Sequence, residues 1–91
     1  MSAPPAAVLN ESQSRIDAFV DALWLEQGLA RNTLAAYRQD LVLYAQWLAE
    51  RGSSLDATRE MDLQAYFAAR HKGTKATTAN RRLTVFKRYF R

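Results

Sequence analysis

Cysteine is missing from this chain of 91 residues, and histidine occurs once. Without cysteine, no disulfide can support the fold and no thiolate can bind a metal or attack a substrate. The single histidine, His71, lies in a basic run with no second histidine beside it, so we expect it to be solvated or to face a phosphate. The sequence therefore predicts no metal site and no cofactor.

Catalytic motifs are also lacking. There is no glycine-rich phosphate loop and no G-x-S-x-G stretch, and the carboxylates are scattered without forming a pair in a predicted pocket. No apolar run approaches the roughly 20 residues that span a bilayer, and the first residues do not resemble a secretory signal. We therefore expect a cytoplasmic protein that does not bind membranes and catalyses nothing by itself.

Acidic residues are scarce in the last third of the chain. Residues 1–60 contain five Lys or Arg and eight Asp or Glu, giving −3, whereas residues 61–91 contain eight and one, giving +7. A field of one sign on one part of a domain attracts polyanions, of which nucleic acid is the commonest inside cells. The alternative is a charged helix face that is merely solvated.

No strand pattern occurs, so the sequence predicts an all-α fold, a four-helix orthogonal bundle of two helical hairpins packed across each other. Residues 1–12, which include Pro4 and Pro5, lack periodicity and are predicted to be a disordered tail before a helical domain over 13–91. Helix 1 is predicted to begin near Asn10 or Ser12 and to end at Gln27. Its apolar face contains Ile16, Phe19, Val20, Leu23 and Trp24.

Helix 2 is predicted to begin between Ala30 and Thr33 and to end near Arg51, before Gly52. It carries two apolar stripes, which predicts a central position. One stripe is Leu34, Tyr37, Leu41, Tyr44, Ala45 and Leu48; the other is Ala36, Leu43 and Trp47.

Helix 3 is predicted over 59–70, with Thr58 as its cap and with Leu63, Tyr66 and Phe67 facing inward. Helix 4 is predicted to begin near Thr77, and no stop signal follows Phe90, so we expect the chain to be cut within that helix. Its apolar arc is Ala79, Leu83, Val85, Phe86, Tyr89 and Phe90.

The opposite arc of helix 4 and one face of helix 2 are rich in hydrogen-bond donors, which predicts contacts with double-stranded DNA. The predicted DNA-binding residues are Arg31, Asn32, Arg38 and Gln39 on helix 2, and Lys75, Thr77, Asn80, Arg81, Thr84, Lys87 and Arg88 at helix 4. Arg91 lies on the same arc. Arg82 points into the apolar arc, so we expect it to extend past the core edge or to pair with an acid of helix 1 or 2.

Two segments closely resemble a known family. They are FVDALWLEQGLARNTLAAYRQDLVLYAQWLAERG and KATTANRRLTVFKRYF, and they resemble the N-terminal core-binding domain of XerD-type tyrosine recombinases. The resemblance covers residues 14–91 and departs from the family at Ala30, where many relatives have a capping serine.

The resemblance implies a SAM-like helical bundle whose second and fourth helices meet the major groove. It also implies that the catalytic residues lie in a C-terminal domain beyond this chain, so none is assigned here. The full-length parent is expected to be a tyrosine recombinase that acts with a XerC-like recombinase and a DNA translocase in chromosome dimer resolution before cell division.

Other functions remain open. The chain could be the core-binding domain of a phage or integron integrase, or a helical module that binds an acidic protein. A basic amphipathic helix on an anionic membrane is less well supported, because Phe86 and Phe90 are assigned to the core.

Overall fold

The computed structural model describes residues 5–90, and the side chains of residues 9–90. Four α-helices follow one another in this range: α1 (Pro5–Gln27), α2 (Arg31–Glu50), α3 (Glu60–Arg70) and α4 (Ala76–Tyr89). No strand occurs among residues 5–90, so the predicted all-α class is confirmed. Both α1 and α4 pack against α2, which therefore has the central position that its two apolar stripes predicted.

α1 begins earlier than predicted. It starts at Pro5, so both the start near Asn10 or Ser12 and the disordered tail over residues 5–12 are wrong; residues 1–4 lie outside the described residues. Proline at the first helical position loses no hydrogen bond, and the two alanines that follow favour a helix. Leu9 packs against the core and Ser12 is only 3% exposed, so tertiary contacts stabilise this added part of the helix.

The buried face of α1 is narrower than predicted. Ile16, Val20 and Leu23 are buried and Phe19 is partly buried. Trp24, in contrast, is 49% exposed. At about 100° per residue it lies about 80° from Ile16 around the helix, at the edge of the buried face. The assignment of Trp24 to the core is therefore wrong.

α2 matches its prediction at both ends. It begins at Arg31, and all members of the first apolar stripe are buried. After its last turn Gly52 adopts φ +74°, and two bonds close the end: Gly52 N–H donates to Ala49 O at 3.0 Å and Ser53 N–H donates to Leu48 O at 2.8 Å. This is a Schellman ending, in which glycine accepts the left-handed conformation that other residues avoid.

α3 begins at Glu60, so Thr58 precedes the capping position and does not cap the helix. The Thr58 hydroxyl instead donates to Ser54 O at 3.3 Å and accepts from the Tyr44 hydroxyl at 3.2 Å. Asp62 closes the helix start with two bonds. Its Oδ2 accepts from the Arg59 N–H at 2.9 Å, and its own N–H donates to Arg59 O at 2.9 Å. The predicted cap is wrong because the helix starts one residue later than expected.

Aromatic rings join three helices in the core. The Tyr44 ring of α2 lies 4.9 Å from the Tyr66 ring of α3 and 5.0 Å from the Phe86 ring of α4, centroid to centroid. The Trp47 ring lies 5.2 Å from that of Tyr66. Each such pair contributes about 0.5–1.5 kcal/mol beyond the area it buries. These contacts determine which side of α4 faces inward, and therefore which side faces solvent.

The buried face of α4 differs from the predicted arc at one edge. Val85 and Phe86 are buried, whereas Leu83 is 44% exposed and Ala79 is exposed. The centre of the buried face is Arg82, which lies between Val85 and Phe86 in a helical projection and is 7% exposed. Leu83 lies about 100° beyond Arg82, outside the contact with α2 and α3.

Candidate nucleic-acid interface

The solvent side of α4 carries an exposed row of polar side chains. Thr77, Asn80, Thr84 and Lys87 are all exposed, as the spacing predicted, and α4 contains no acid. The Thr84 hydroxyl donates to Asn80 O at 3.0 Å, so its oxygen remains able to accept a bond from a ligand. Side chains three or four residues apart lie one helical turn apart, a spacing that suits contacts along a groove.

Arg81 is not freely solvated. Its Nε donates to Asp40 Oδ2 at 2.8 Å and its Nη2 donates to Asp40 Oδ1 at 2.9 Å, a two-point pair that joins α4 to α2. Asp40 is 2% exposed, while the Arg81 side chain is 36% exposed. The hydrogen bonds that Arg81 donates to Asp40 raise the pKa of Arg81 above its ordinary value, so the guanidinium stays charged. Its remaining N–H groups are free for another acceptor.

Asp40 was missed by the sequence reasoning. It is the one acid within the first 19 residues of α2, and it lies beside the apolar stripe between Tyr37 and Leu41. An acid so close to a buried face requires a cation, since an unpaired buried carboxylate is costly. This signal shows that Asp40 needs a cationic partner, but it does not show which cation that is.

Arg82 follows neither expectation. It does not extend into solvent, and it forms no ion pair with any acid among the described residues. Its guanidinium carbon lies 5.6 Å from the centre of the Tyr66 ring, and its Nε has no hydrogen-bond partner in residues 9–90. The neighbouring Arg81 makes the pair with α2 that was expected of Arg82.

Two further arginines of the predicted interface, Arg88 and Arg38, form bonds with α1. Arg88 Nη1 donates to Gln27 Oε1 at 2.7 Å, which connects the end of α4 with the end of α1. Arg38 forms an ion pair with Asp17 of α1. Both side chains are partly exposed, so these are rim contacts that solvent or a ligand can replace.

The remaining predicted residues are exposed. Arg31, Asn32 and Gln39 lie on the outer side of α2, and Lys75 immediately precedes α4. Arg81 contacts Asp40. The side of α4 that carries Arg81 therefore lies against the side of α2 that carries Asp40, and Gln39 immediately precedes Asp40 in the sequence. Arg31 and Arg38 lie on the opposite flank of α2, where with Trp24 they line a cavity of about 350 Å³ beside α1.

The structure therefore brings together most of the predicted residues but divides them by position. We call the α2–α4 surface the set of exposed or half-exposed residues around the Arg81–Asp40 pair: Asn32, Gln39, Thr77, Asn80, Arg81, Thr84 and Lys87. Arg31 and Arg38 extend it towards α1, and Lys75 and Arg88 lie at the two ends of α4.

Other kinds of site find little support in this range. No three His, Asp or Glu side chains of the described residues are grouped so that they could hold a metal ion. None of the helices in the described range has the length and apolar content needed to cross a membrane. His71 is exposed just after α3.

Comparison with known proteins identifies related sequences. Residues 16–91 match the family model described as phage integrase, N-terminal SAM-like domain. The chain is 67% identical to tyrosine recombinase XerD of Ralstonia nicotianae over 79 residues, which are 87% of this chain and 26% of that protein. It is 45% identical to XerD of Proteus mirabilis over 76 residues, 82% of this chain and 24% of that protein.

XerD of Yersinia pestis is 46% identical over 76 residues, which are 82% of this chain and 25% of that protein. The chain thus spans about a quarter of the length of the curated relatives it matches. No solved structure matches it significantly.

Proposed function

The chain belongs to the family of phage integrase N-terminal SAM-like domains, and from that membership we propose that it binds duplex DNA through the α2–α4 surface. The relatives confirm the resemblance to XerD-type tyrosine recombinases. The family model that the chain matches describes an N-terminal domain, not a catalytic one. We place the DNA-binding domain at residues 13–91, with the earlier part of α1 as an extension of its first helix.

One observation carries the proposal: the α2–α4 surface presents donors and cations, and its single carboxylate is already neutralised. Asp40 is buried and bonded at both oxygens to Arg81. Lys87 is exposed, as are the amides of Asn80 and Gln39. A surface with these groups can contact phosphates with its cations and base edges with its amides.

Each predicted residue has a role in this proposal. Lys75, Lys87 and Arg31 contact phosphates, since they are exposed at the ends or edges of the surface. Asn32, Gln39 and Asn80 contact base edges, with Thr77 and Thr84 beside them.

Three arginines of the proposed interface already have partners within the domain. Arg81 uses the N–H groups that Asp40 leaves free. Arg38 and Arg88 would exchange their contacts with Asp17 and Gln27 for phosphates, at little cost because both contacts are partly exposed.

The whole protein is a further part of the proposal. We infer that this domain precedes a catalytic domain in a XerD-like tyrosine recombinase of the cytoplasm, which would act with a XerC-like recombinase, under a DNA translocase, in chromosome dimer resolution. The support is the identity with relatives named tyrosine recombinase XerD. The isolated domain would bind weakly, because it lacks the effective concentration that a linked second domain supplies.

A titration of the chain with a short DNA duplex, followed by amide chemical shifts, tests the interface. We expect the shifts to concentrate on α2 and α4. The variant Lys87→Gln should weaken binding roughly fivefold to tenfold at about 0.1 M salt, since one phosphate contact is lost.

Arg59→Gln is the matched control, because Arg59 is an exposed arginine that belongs to neither α2 nor α4. It should leave the affinity nearly unchanged. Equal losses in the two variants, or shifts confined to α1 and α3, would contradict the proposed interface.

A further inference from the structure

A second surface feature lies between the end of α3 and the outer side of α4. It is a cavity of about 370 Å³, which we call the α3–α4 cavity. Phe67 and Leu83 are among its apolar walls, and Arg70, His71, Thr74 and Arg82 are among its polar ones. None of the residues that line it is acidic. Nothing in DNA binding by the α2–α4 surface requires this cavity.

Two cations at the cavity lack a carboxylate partner in the part of the chain that the structure describes. The guanidinium carbons of Arg70 and Arg82 lie 5.4 Å and 5.6 Å from the centre of the same Tyr66 ring. Neither forms an ion pair with an acid of the described residues. The ring attracts both cations but does not neutralise them, so the two like charges also repel each other. An anion in the cavity would relieve that repulsion.

Arg82 gives a second, independent indication. It is 7% exposed, and its Nε has no hydrogen-bond partner among residues 9–90. A buried charged donor without an acceptor is costly, and such groups are normally satisfied. Since Arg82 lines the cavity, an acceptor bound there would be close to the side chain that needs it.

The walls indicate what carries the anion. Leu83 is 44% exposed and Phe67 is only partly buried, so an apolar group that entered the cavity would cover both. A phosphate of the DNA backbone gains nothing from apolar walls. We therefore propose that the α3–α4 cavity is a docking site for a segment of a partner protein that presents an apolar side chain next to an Asp or Glu carboxylate.

The position of the cavity allows this docking together with DNA binding. Leu83 follows Arg81 by two residues and therefore lies about 200° from it around α4. The cavity thus opens on the α3 side of α4, while Arg81 faces α2. Asn80 alone borders both the cavity and the α2–α4 surface. A bound partner would leave most of the α2–α4 surface accessible.

A small peptide probe tests the proposal with the chain as it is. The probe is acetyl-leucyl-glutamyl amide, which joins one apolar side chain to one carboxylate. We expect saturable shifts of the Arg82 Nε–Hε signal and the Leu83 methyl signals, with a Kd of about 1 mM for so small a ligand. The neutral acetyl-leucyl-glutaminyl amide should bind about tenfold or more weakly, because the charge-assisted bonds are lost.

Two surface variants separate the charged and apolar contributions. Arg70→Gln should weaken binding of the glutamyl probe about tenfold, and Leu83→Ser several-fold, while both retain the helical circular dichroism of the parent. Neither residue belongs to the α2–α4 surface, so the affinity for duplex DNA should change less than twofold in Leu83→Ser.

Three results would overturn the inference. The first is no saturable shift at about ten times the expected Kd. The second is equal binding of the charged and neutral probes. The third is displacement of the probe by inorganic phosphate at an equal or lower concentration, which would make the cavity a phosphate site and assign it to the DNA backbone. A DNA interface on α2 and α4 could stand or fall independently of all three.

Discussion

Asp40 and Arg81 differ in burial, and that difference predicts unequal effects of removing either one. Asp40→Asn leaves a guanidinium that is partly exposed and can turn to water, so the free energy of unfolding should fall by about 1 kcal/mol. Arg81→Gln leaves a carboxylate that is 2% exposed without its cation, and should cost about 3 kcal/mol. Urea denaturation of both variants measures the two values.

The double variant of this pair provides the control. Asp40→Asn with Arg81→Gln removes both charges, so it should be more stable than Arg81→Gln alone, because no buried charge is left unpaired. If Arg81→Gln proved no more costly than Asp40→Asn, the pair would not stabilise the contact between α2 and α4 as its geometry indicates.

Removing the Tyr66 hydroxyl should raise the free energy of unfolding, whereas the changes at Asp40 and Arg81 lower it. The Tyr66 hydroxyl is buried and makes no hydrogen bond in the described part of the chain. Tyr66→Phe removes that unsatisfied group and keeps the ring, so it should stabilise the fold by about 1 kcal/mol at neutral pH. Tyr44→Phe is the matched control. It loses a bond to Thr58 of 3.2 Å and should be neutral or destabilising.

The same hydroxyl groups predict a loss of stability in alkali. Burial raises the pKa of Tyr66 above its ordinary value, opposed in part by the charges of Arg70 and Arg82, and burial also raises the pKa of Tyr44 and of Tyr89. The unfolded chain therefore releases these protons first. The free energy of unfolding should be unaffected below about pH 10, and it should fall as the pH rises from there through the raised pKa values of the folded state.

Thermal melts at increasing pH check this, and Tyr66→Phe should lose less stability over that range than the parent. A fold whose stability did not change between neutral pH and about pH 11 would show that these tyrosines ionise as easily in the folded state as in the unfolded chain.

At the scale of the helices, the start of α2 lacks a side-chain cap. Ala30 has the extended conformation of a capping residue, φ −60° and ψ 146°, but its side chain offers no acceptor. Ala30→Ser should therefore add about 1 kcal/mol to the free energy of unfolding, since a hydroxyl can accept from the second or third N–H of the helix.

The control for this change is Ala35→Ser, in the same helix and also exposed. Serine within a helix is slightly less favourable than alanine, so it should cost about 0.5 kcal/mol. Equal effects of the two substitutions would mean that the start of α2 is not limited by its missing cap.

The helices also show where periodicity succeeds and where it fails. The spacing of apolar residues predicted all four helices and the central position of α2, and Gly52 predicted where α2 ends. It failed at the edges of faces, where Trp24 and Leu83 proved exposed. An edge position has no fixed burial from spacing alone, because the width of a contact depends on the neighbouring helix.

For the molecule as a whole, the charge asymmetry predicts a strong salt dependence of DNA binding. If Lys75, Lys87, Arg31, Arg38 and Arg88 each contact one phosphate, the slope of log affinity against log salt should be about −4.5. The affinity should then fall about five-hundredfold between 50 and 200 mM salt.

Titrations at several salt concentrations, with Arg31→Gln/Lys87→Gln beside the parent, measure this slope. The double variant should have a slope shallower by about 2, because two phosphate contacts are lost. An affinity independent of salt would be incompatible with the proposed function.

The four helices and the polar outer row of α4 could be predicted from the sequence, because they depend on residues within a few positions of one another. Which cations are available to a ligand depends instead on contacts between helices. Arg81 is bound by an acid 41 residues away, Arg88 by a glutamine 61 residues away, and Arg82 is enclosed beside Tyr66. Such contacts depend on how the helices pack, and no local spacing carries that information.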